Sequence, residues 1–316
     1  MRHQACPYNP NISSAKHFTP FTPEYPMLKC FYDERQSVPP DWHRHLLCPS
    51  AAKPAQVMQH WQQASSPIEI AAFPPASLEQ ICRAHDPQYV RAILAGRREN
   101  GMGDCDMHVA ATLPWTCGSM IAAAQYAWRS GDNAVSPSSG FHHAGYQRAG
   151  AFCTFNGLII AIMEILTQDP QTRIGILDLD QHYGDGSDEL IQHFSLSEQV
   201  PHLSLGLLRR QPSPIKLGSL TWTRERLPEL IHQTFNSCDL VLYQAGADSH
   251  VDDPLGGVFD TPAYLAREEI VFQSFRELKI PVAWNLAGGY QDDFTKVLNL
   301  HQITLDACVA SRRSPA

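Results

Sequence analysis

One stretch of the chain, residues 173–186 with the sequence RIGILDLDQHYGDG, constrains the fold most. An apolar run ends at Leu177 and is followed by Asp178, Asp180 and His182, three potential ligands spaced by two. Residues two apart point to the same face of a strand, so an extended ending aims all three side chains at one place. Ligands of open α/β sheets gather at the carboxyl ends of strands. Taken alone, such a run is more typical of a helix cap and a solvated turn, so the rest of the chain must decide.

Composition bounds the class of protein. The 316 residues, 43% of them hydrophobic, suffice for one large α/β domain or two smaller ones, and we favour one. The formal charge of −8 leaves no basic surface for phosphates, which argues against nucleic acid as a partner. Nine cysteines without C-x-x-C pairs argue against a disulfide framework or a zinc knuckle. With no run of membrane-spanning length, the sequence predicts a cytoplasmic protein without a membrane partner.

The chain divides into three predicted parts. Residues 1–26 are polar and proline-rich and predict a weakly ordered or partner-contacting extension; residues 27–312 form the predicted catalytic domain, and residues 313–316 are a tail. Within the domain, apolar runs and their periodicity alternate between strands and helices, which predicts a central parallel β-sheet with helices on both faces. The predicted strands are 27–34, 68–73, 174–177, 202–208, 239–247 and 281–290; the predicted helices are 55–64, 77–95 with an interruption at Pro87, 118–128, 158–166 and 266–278.

Three predicted strand ends carry polar side chains suited to chemistry. They are D-L-D-Q-H at 178–182, A-G-A-D-S-H at 245–250 and A-G-G-Y at 287–290, and a glycine-rich loop adds His142 and His143. Because the carboxyl ends of parallel strands lie on one edge of a sheet, residues far apart in sequence converge there. The sequence therefore predicts a single site.

The chemistry of that site follows from its ligand types. Asp180, His182 and Asp248 supply two oxygens and one nitrogen, which suits a catalytic Zn²⁺ or Fe²⁺ with positions left for water and substrate. A metal of this kind acidifies water and polarises a carbonyl, which indicates hydrolysis of an amide or an ester. The adjacent histidines would then take and return the proton.

Each of these groups also has a purely structural interpretation. Buried His142 and His143 would satisfy backbone groups of the glycine-rich loop. Tyr290 would be a packed aromatic residue with its hydroxyl at the surface, and Asp248 would cap a helix. The residues taken singly leave these alternatives open.

Taken together, five motifs resemble the histone deacetylase family, a superfamily that includes bacterial histone deacetylase-like proteins and acetylpolyamine amidohydrolases. The motifs occur in the family's order across most of residues 27–312: S-G-F-H-H-A at 139–144, F-C-T-F-N at 152–156, D-L-D-Q-H-Y-G-D-G at 178–186, G-A-D-S-H-V-D-D-P-L-G-G at 246–257 and A-G-G-Y at 287–290.

The resemblance implies the single-domain arginase/deacetylase α/β fold and a metal-dependent deacylase. It implies that Asp180, His182 and Asp248 are the zinc ligands. It also implies that Phe152 forms an aromatic wall of an acyl-lysine channel. The preceding Gly150 and Ala151 are small enough to let a thin substrate pass. The expected substrate is an acylated lysine peptide or an acylated small amine.

The resemblance also implies the catalytic roles. His143 is expected to be the general base and acid, with His142 as electrostatic support. Asp178 and Asp185 are expected to orient the two histidines. Tyr290 is expected to bind the oxyanion.

A structural K⁺ is a further implication of the family. The residues that match its inner potassium site are Asp178, Asp180, His182, Ser204 and Leu205, with backbone as well as side-chain oxygens.

Some positions depart from the family pattern and leave alternatives open. Tyr183 and Gly206 stand where many members have histidine, and residues 207–220 lack the usual aromatic segment, so the opposite channel wall is undetermined. Asp104 and Asp106 are candidates to attract a cationic substrate such as an acetylpolyamine. The competing hypotheses are an arginase-like ureohydrolase with two metals and an acyl-lysine binding module without turnover. An oligomer is compatible with either enzyme.

Overall fold

A seven-stranded sheet, parallel throughout, forms the centre of the protein. The computed structural model describes residues 27–39, 41–42 and 49–313. The strands pair in the order β2-β1-β3-β7-β6-β4-β5. They are β1 (Leu28–Cys30), β2 (Ile68–Ile70), β3 (Ala134–Ser136), β4 (Ile174–Asp178), β5 (His202–Ser204), β6 (Leu240–Gln244) and β7 (Val282–Asn285).

The sheet separates two hydrophobic cores because neighbouring side chains along a strand point to opposite faces. In β6, for example, Val241 and Tyr243 belong to one core, whereas Leu240 and Leu242 belong to the other. All of β4, β6 and β7 is buried, as expected for strands covered on both sides. The prediction of a parallel α/β sheet covered on both faces is confirmed.

Helices cover both faces of the sheet. One core receives side chains from the first and the last four helices, and the other receives side chains from the second to the sixth. The helices are α1 (Lys53–Gln63), α2 (Leu78–Cys82), α3 (Pro87–Leu94), α4 (Met107–Ser130), α5 (Gly157–Leu166), α6 (Asp185–His193), α7 (Leu205–Leu208), α8 (Leu220–Phe235), α9 (Thr261–Leu278) and α10 (Phe294–Arg313).

Several predicted boundaries differ from the observed ones. The interruption at Pro87 is correct, since α3 begins at that proline after Asp86 caps it. Helix α4 is much longer than predicted because it begins after the cap at Asp106 and accommodates Pro114 within it. The predicted strand 202–208 is wrong in its second half, where the chain turns into α7. Strand β3 and helices α6, α8 and α10 had no counterpart in the prediction.

The segments predicted to flank the domain are residues 1–26 and 313–316. Residues 1–26 and 314–316 lie outside the described residues, so the proposed division into extension, domain and tail stays a prediction. The seven cysteines within the described residues are all free. Among residues 27–39, 41–42 and 49–313, no helix is both long enough and apolar enough to cross a bilayer.

Candidate metal centre and catalytic site

The three predicted metal ligands lie together at the carboxyl edge of the sheet. Asp180 and His182 follow β4, and Asp248 lies in a 3-10 turn, Ala247–Ser249, that follows β6. One ligand atom from each lies within 4.8 Å of the others. His182 Nδ1 is 3.1 Å from Asp180 Oδ1 and 3.0 Å from Asp248 Oδ2. One nitrogen and two carboxylate oxygens thus converge as the strand-end argument predicted.

The donors fit a divalent metal. Asp180 and Asp248 are both buried. Burial, together with the negative charge of Asp180, raises the pKa of Asp248 to about 7. A cation held between the two carboxylates would offset the electrostatic repulsion between Asp180 and Asp248. The side chain of His182 is 35% exposed, so the donor set opens toward solvent on one side, as a catalytic rather than a closed structural metal requires.

Two glycines make room for the carboxylates. A Cβ atom at Gly246 would lie 2.5 Å from Asp180 Cα, and one at Gly288 would lie 2.4 Å from Asp248 Oδ2. Neither distance is compatible with a side chain. The backbone amide of Gly288 also donates to Asp180 Oδ2 at 3.0 Å. The turn after β7 is therefore packed directly against the metal ligands.

The tandem histidines lie beside this centre, each held by its own carboxylate. His142 Nδ1 is 2.7 Å from Asp178 Oδ2, and His143 Nδ1 is 2.6 Å from Asp185 Oδ1. The two imidazole centroids are 4.1 Å apart. His142 Nε2 is 3.7 Å from Asp180 Oδ1. Because the carboxylates occupy both Nδ1 atoms, they direct each Nε2 atom away from themselves and fix the tautomers.

The two histidines differ in electrostatic environment. Burial opposes protonation of His142, but the negative charges of Asp178 and Asp180 outweigh it and raise the pKa of His142 to about 9. Burial and the adjacent charge of His142 lower the pKa of His143 below its usual 6.5. At neutral pH the pair therefore consists of a positive His142 and a neutral His143 that can accept a proton.

Tyr290 follows the turn after β7 and lies against the predicted channel residue. Gly289 has a φ of 138°, a conformation open to glycine and strained for other residues. The ring centroids of Tyr290 and Phe152 are 5.4 Å apart. Tyr290 is half-buried, and its backbone amide donates to Asp253 Oδ2 at 2.8 Å. The turn after β7 thus both bonds to Asp180, through the amide of Gly288, and carries the tyrosine that contacts Phe152.

Lys53, which the sequence analysis did not single out, is hydrogen-bonded to the turn after β7. Its side chain is fully buried, and its Nζ donates to the carbonyl oxygen of Ala287 at 2.7 Å. The same Nζ lies 5.3 Å from the centroid of the Tyr290 ring. Ala287 has a φ of 54°. A buried lysine therefore helps to hold a strained backbone that positions Tyr290.

The loop that carries the predicted channel residues is a tight turn. Gly150 and Cys153 are bridged by backbone hydrogen bonds, and Ala151 and Phe152 both have positive φ, at 44° and 64°. Two successive non-glycine residues in this region store strain, which proteins tolerate mainly at functional sites. A Cβ at Gly150 would meet nothing within 4 Å, so packing does not demand glycine there. Its proposed role in the channel stays a prediction.

The opposite wall, which the sequence left undetermined, is polar. Arg209 and Arg210 follow α7 and line an open groove of about 660 Å³ together with His143 and His182. A Cβ at Gly206 would lie 2.1 Å from the backbone nitrogen of Tyr183. The departure from histidine at Gly206 thus allows α7 to pack directly against the segment that carries the metal ligand.

His202 is another residue that the sequence analysis missed. Its side chain is buried, with Nδ1 2.5 Å from Asp188 Oδ1 and Nε2 3.8 Å from Asp178 Oδ2. Burial disfavours the imidazolium, but the nearby carboxylates of Asp178 and Asp188 outweigh this and raise the pKa of His202. The hydroxyl of Tyr183 donates to the other oxygen of Asp188. These contacts give Asp178 a second histidine neighbour beside His142.

Arg267 is a buried arginine that braces the loops carrying the metal ligands. Its Nη1 donates to the carbonyl oxygens of Leu179 at 3.1 Å and Gly246 at 3.2 Å. It forms an ion pair with Glu268, and both side chains are fully buried. The hydroxyl of Tyr243 donates to Glu268 as well. No sequence signal distinguished this arginine from the exposed charges of α9.

We expect Arg267→Met to lower the free energy of unfolding by about 3–5 kcal/mol, because it leaves Glu268 buried without its counter-charge. Urea denaturation followed by circular dichroism measures the loss. The matched control is Arg226→Met, whose partner Glu229 is exposed on α8, and its change should stay below about 1 kcal/mol. Equal small losses in the two variants would contradict a bracing role for Arg267.

Comparisons with known proteins agree with the geometry of the site. A family model described as the histone deacetylase domain matches residues 47–206. An uncharacterized protein of Picosynechococcus sp. is 31% identical over 248 residues, which cover 69% of this chain and 78% of that protein. Histone deacetylase 2 of Arabidopsis thaliana is 29% identical over 195 residues, covering 57% of this chain and 50% of the relative. Histone deacetylase RPD3 of Saccharomyces cerevisiae is 30% identical over 138 residues, covering 39% and 31%.

A solved structure supports the fold over nearly the whole chain. The crystal structure of the HDA15 HD domain superposes with a TM-score of 0.70 at 16% identity, and the match covers 92% of this chain and 91% of that one. The two named deacetylases are matched over half of their length or less. The likeness therefore concerns a shared domain.

Proposed function

This chain belongs to the histone deacetylase family, and from that premise we propose that it is a zinc-dependent amidohydrolase acting on acylated amines. Family membership supports hydrolysis of an amide bond. The finer assignment depends on one observation, the convergence of Asp180, His182 and Asp248 next to two histidines with their own carboxylate partners. Zn²⁺ suits this donor set, and Fe²⁺ is compatible with it.

The metal would supply a Lewis acid that polarises the amide carbonyl and acidifies water. His143, neutral at pH 7 and oriented by Asp185, takes the proton from the attacking water and later delivers it to the departing amine. His142, which Asp178 and Asp180 keep protonated, supplies positive charge beside the reacting carbonyl. The two histidines therefore have different roles because their charges differ.

Tyr290 is the proposed donor to the oxyanion. The turn that carries it is bonded to Asp180 through Gly288, which supports a position for the tyrosine near the proposed metal ligands. A tyrosine hydroxyl that is already in place does not have to reorient as charge develops on the oxygen, which is the basis of oxyanion stabilisation. The Phe152 ring beside it supplies an apolar surface for the aliphatic part of the substrate.

The substrate in this proposal is an acylated lysine peptide or an acylated small amine. The two aspartates considered as attractors of a cationic substrate have structural partners. Asp104 accepts hydrogen bonds from Asn100 Nδ2 and from the amide of Asp106, and Asp106 caps α4. Their carboxylates are thus engaged within the loop.

We expect Tyr290→Phe to lower kcat on an acyl-lysine peptide by roughly 10²-fold or more, with little change in KM. The lost hydrogen bond forms mainly in the transition state, and the ring against Phe152 is kept, so the melting temperature should not change. Tyr126→Phe, on α4 away from the site, is the matched control. Near-wild-type kcat in Tyr290→Phe would contradict the mechanism, and two bound metals per chain would instead favour the ureohydrolase.

We also propose a structural K⁺ beside the metal centre. The side-chain oxygens of Asp178 and Ser204 adjoin the same glycine: Gly184 donates its amide to Ser204 Oγ at 3.3 Å, and a Cβ on it would lie 2.5 Å from Asp178 Oδ2. Oxygen donors of this kind suit a hard cation. The remaining proposed ligands are the backbone oxygens of Asp180, His182 and Leu205.

A further inference from the structure

Five arginines surround the approach to the metal centre, and we call them the arginine rim. They line two open grooves, of about 660 Å³ and about 1030 Å³, which share Arg148, Gly150 and Ala151. Within the described part of the chain, the carboxylates that line the same grooves are Glu99 and Asp185. The rim is therefore positive although the chain as a whole has a formal charge of −8. Its members are Arg97, Arg98, Arg148, Arg209 and Arg210.

Four of the five arginines have their charge available to a ligand. Among the residues that the structure describes, no carboxylate lies within ion-pair distance of Arg97, Arg98, Arg209 or Arg210, and all four are exposed. Arg98 donates to a backbone carbonyl oxygen, as does Arg209, so each is oriented without being neutralised. Only Arg148 is paired with acidic side chains.

The rim touches the segments that carry the chemistry. Arg209 donates to the carbonyl oxygen of Gln181 at 3.4 Å, and the guanidinium of Arg210 lies 5.1 Å from the centroid of the Tyr183 ring. These two residues flank the metal ligand His182. Arg148 donates to Asp185, the carboxylate that orients His143, at 2.9 Å. A substrate bound at the proposed metal site must therefore lie within the positive electrostatic field of the arginine rim.

We propose that the arginine rim selects acyl-lysine residues in acidic peptide segments, with the carboxylates that flank the acylated lysine resting against the arginines. This inference builds on the proposed deacylase function and names its substrate class. Two adjoining open grooves suit an extended chain on both sides of the acylated lysine, whereas a small amine would fill only the centre. The same positive field repels acetylpolyamines, whose remaining amines are cationic.

The test compares three acetyl-lysine peptides of equal length in which the flanking residues are all Glu, all Gln or all Lys. We expect kcat/KM to be roughly tenfold higher for the Glu peptide than for the Lys peptide at low salt, and the gap to narrow as salt is added. An acetylpolyamine should be the poorest substrate. Equal rates for the three peptides, or a preference for the Lys peptide, would overturn the inference and leave the deacylase function intact.

A double variant, Arg209→Gln with Arg210→Gln, assigns the preference to the rim. It should lose most of the preference for the Glu peptide over the Lys peptide, measured as the ratio of the two kcat/KM values within the same variant. Arg224→Gln makes the same kind of charge change at an exposed position on α8, outside both grooves, and should keep the preference. A double variant with an undiminished preference would also overturn the inference. Cleavage of the acetylpolyamine alone would overturn the inference and keep the proposed function. If the metal-loaded protein cleaves neither the peptides nor the acetylpolyamine, the proposed function itself fails.

Discussion

His182→Ala should abolish bound zinc and hydrolysis together. The imidazole Nδ1 lies about equally far from Asp180 and Asp248, at 3.1 and 3.0 Å, so it completes the donor set between them. Without it, only two carboxylates remain, and they are buried close enough to each other that Asp248 already holds its proton more tightly than usual, with a raised pKa. Two ligands are too few to hold a catalytic metal.

Elemental analysis after dialysis, together with an acyl-lysine assay, measures both losses. Asp180→Ala should behave in the same way, because it removes one of the two oxygens. His232→Ala is the matched control, since this histidine lies on α8 with a partly exposed side chain and is not near the metal ligands. It should retain one zinc per chain and full activity. Full zinc occupancy in both Asp180→Ala and His182→Ala would show that these residues do not bind the metal.

His143→Ala should keep the metal and lose about 10²- to 10⁴-fold in kcat, the usual contribution of a general acid or base. The metal stays because the His143 side chain is not a ligand and bonds to Asp185 instead. The loss is large because burial and the neighbouring His142 lower the pKa of His143, which keeps it neutral and ready to accept a proton near pH 7.

The matched variant is His142→Ala, which removes the adjacent ring. Because the pKa of His142 is raised to about 9, this residue is protonated at pH 7 and contributes charge rather than proton transfer. Its loss should therefore cost less in kcat than the loss of His143. Zinc content, kcat and KM are to be measured for both variants. If His143→Ala were as active as the wild type across the pH range, water activation would need another base.

Local patterns alone were enough to predict which strand ends carry the proposed metal ligands. The apolar run into Asp178 is a buried strand, but the strand ends there. Bends at 180–182, rather than an extended continuation, bring Asp180 and His182 to one place. Parallel pairing then explains why Asp248, after a strand distant in sequence, joins them. The convergence of the two strand ends follows from the rule that parallel strands end at one edge of the sheet.

Other elements carried too weak a local signal to be predicted. Strand β3 has only three residues and lies in a segment rich in glycine and serine, where no period can be recognised. The apolar run at 202–208 is compatible with a strand or a short helix. The close approach of Gly206 to the backbone of Tyr183 accompanies the turn of the chain at Leu205.

The amino-acid sequence by itself was enough to predict the fold class, the proposed metal ligands and the histidines beside them, because each motif is local to one strand end or one loop. The positive charge at the entrance to the proposed site could be recognised only in the tertiary structure. Arg98, Arg148 and Arg209 come from three loops and show no pattern in a chain of net negative charge. Their common field exists because packing of those loops at the sheet edge brings them together, and charges act through space rather than along the chain.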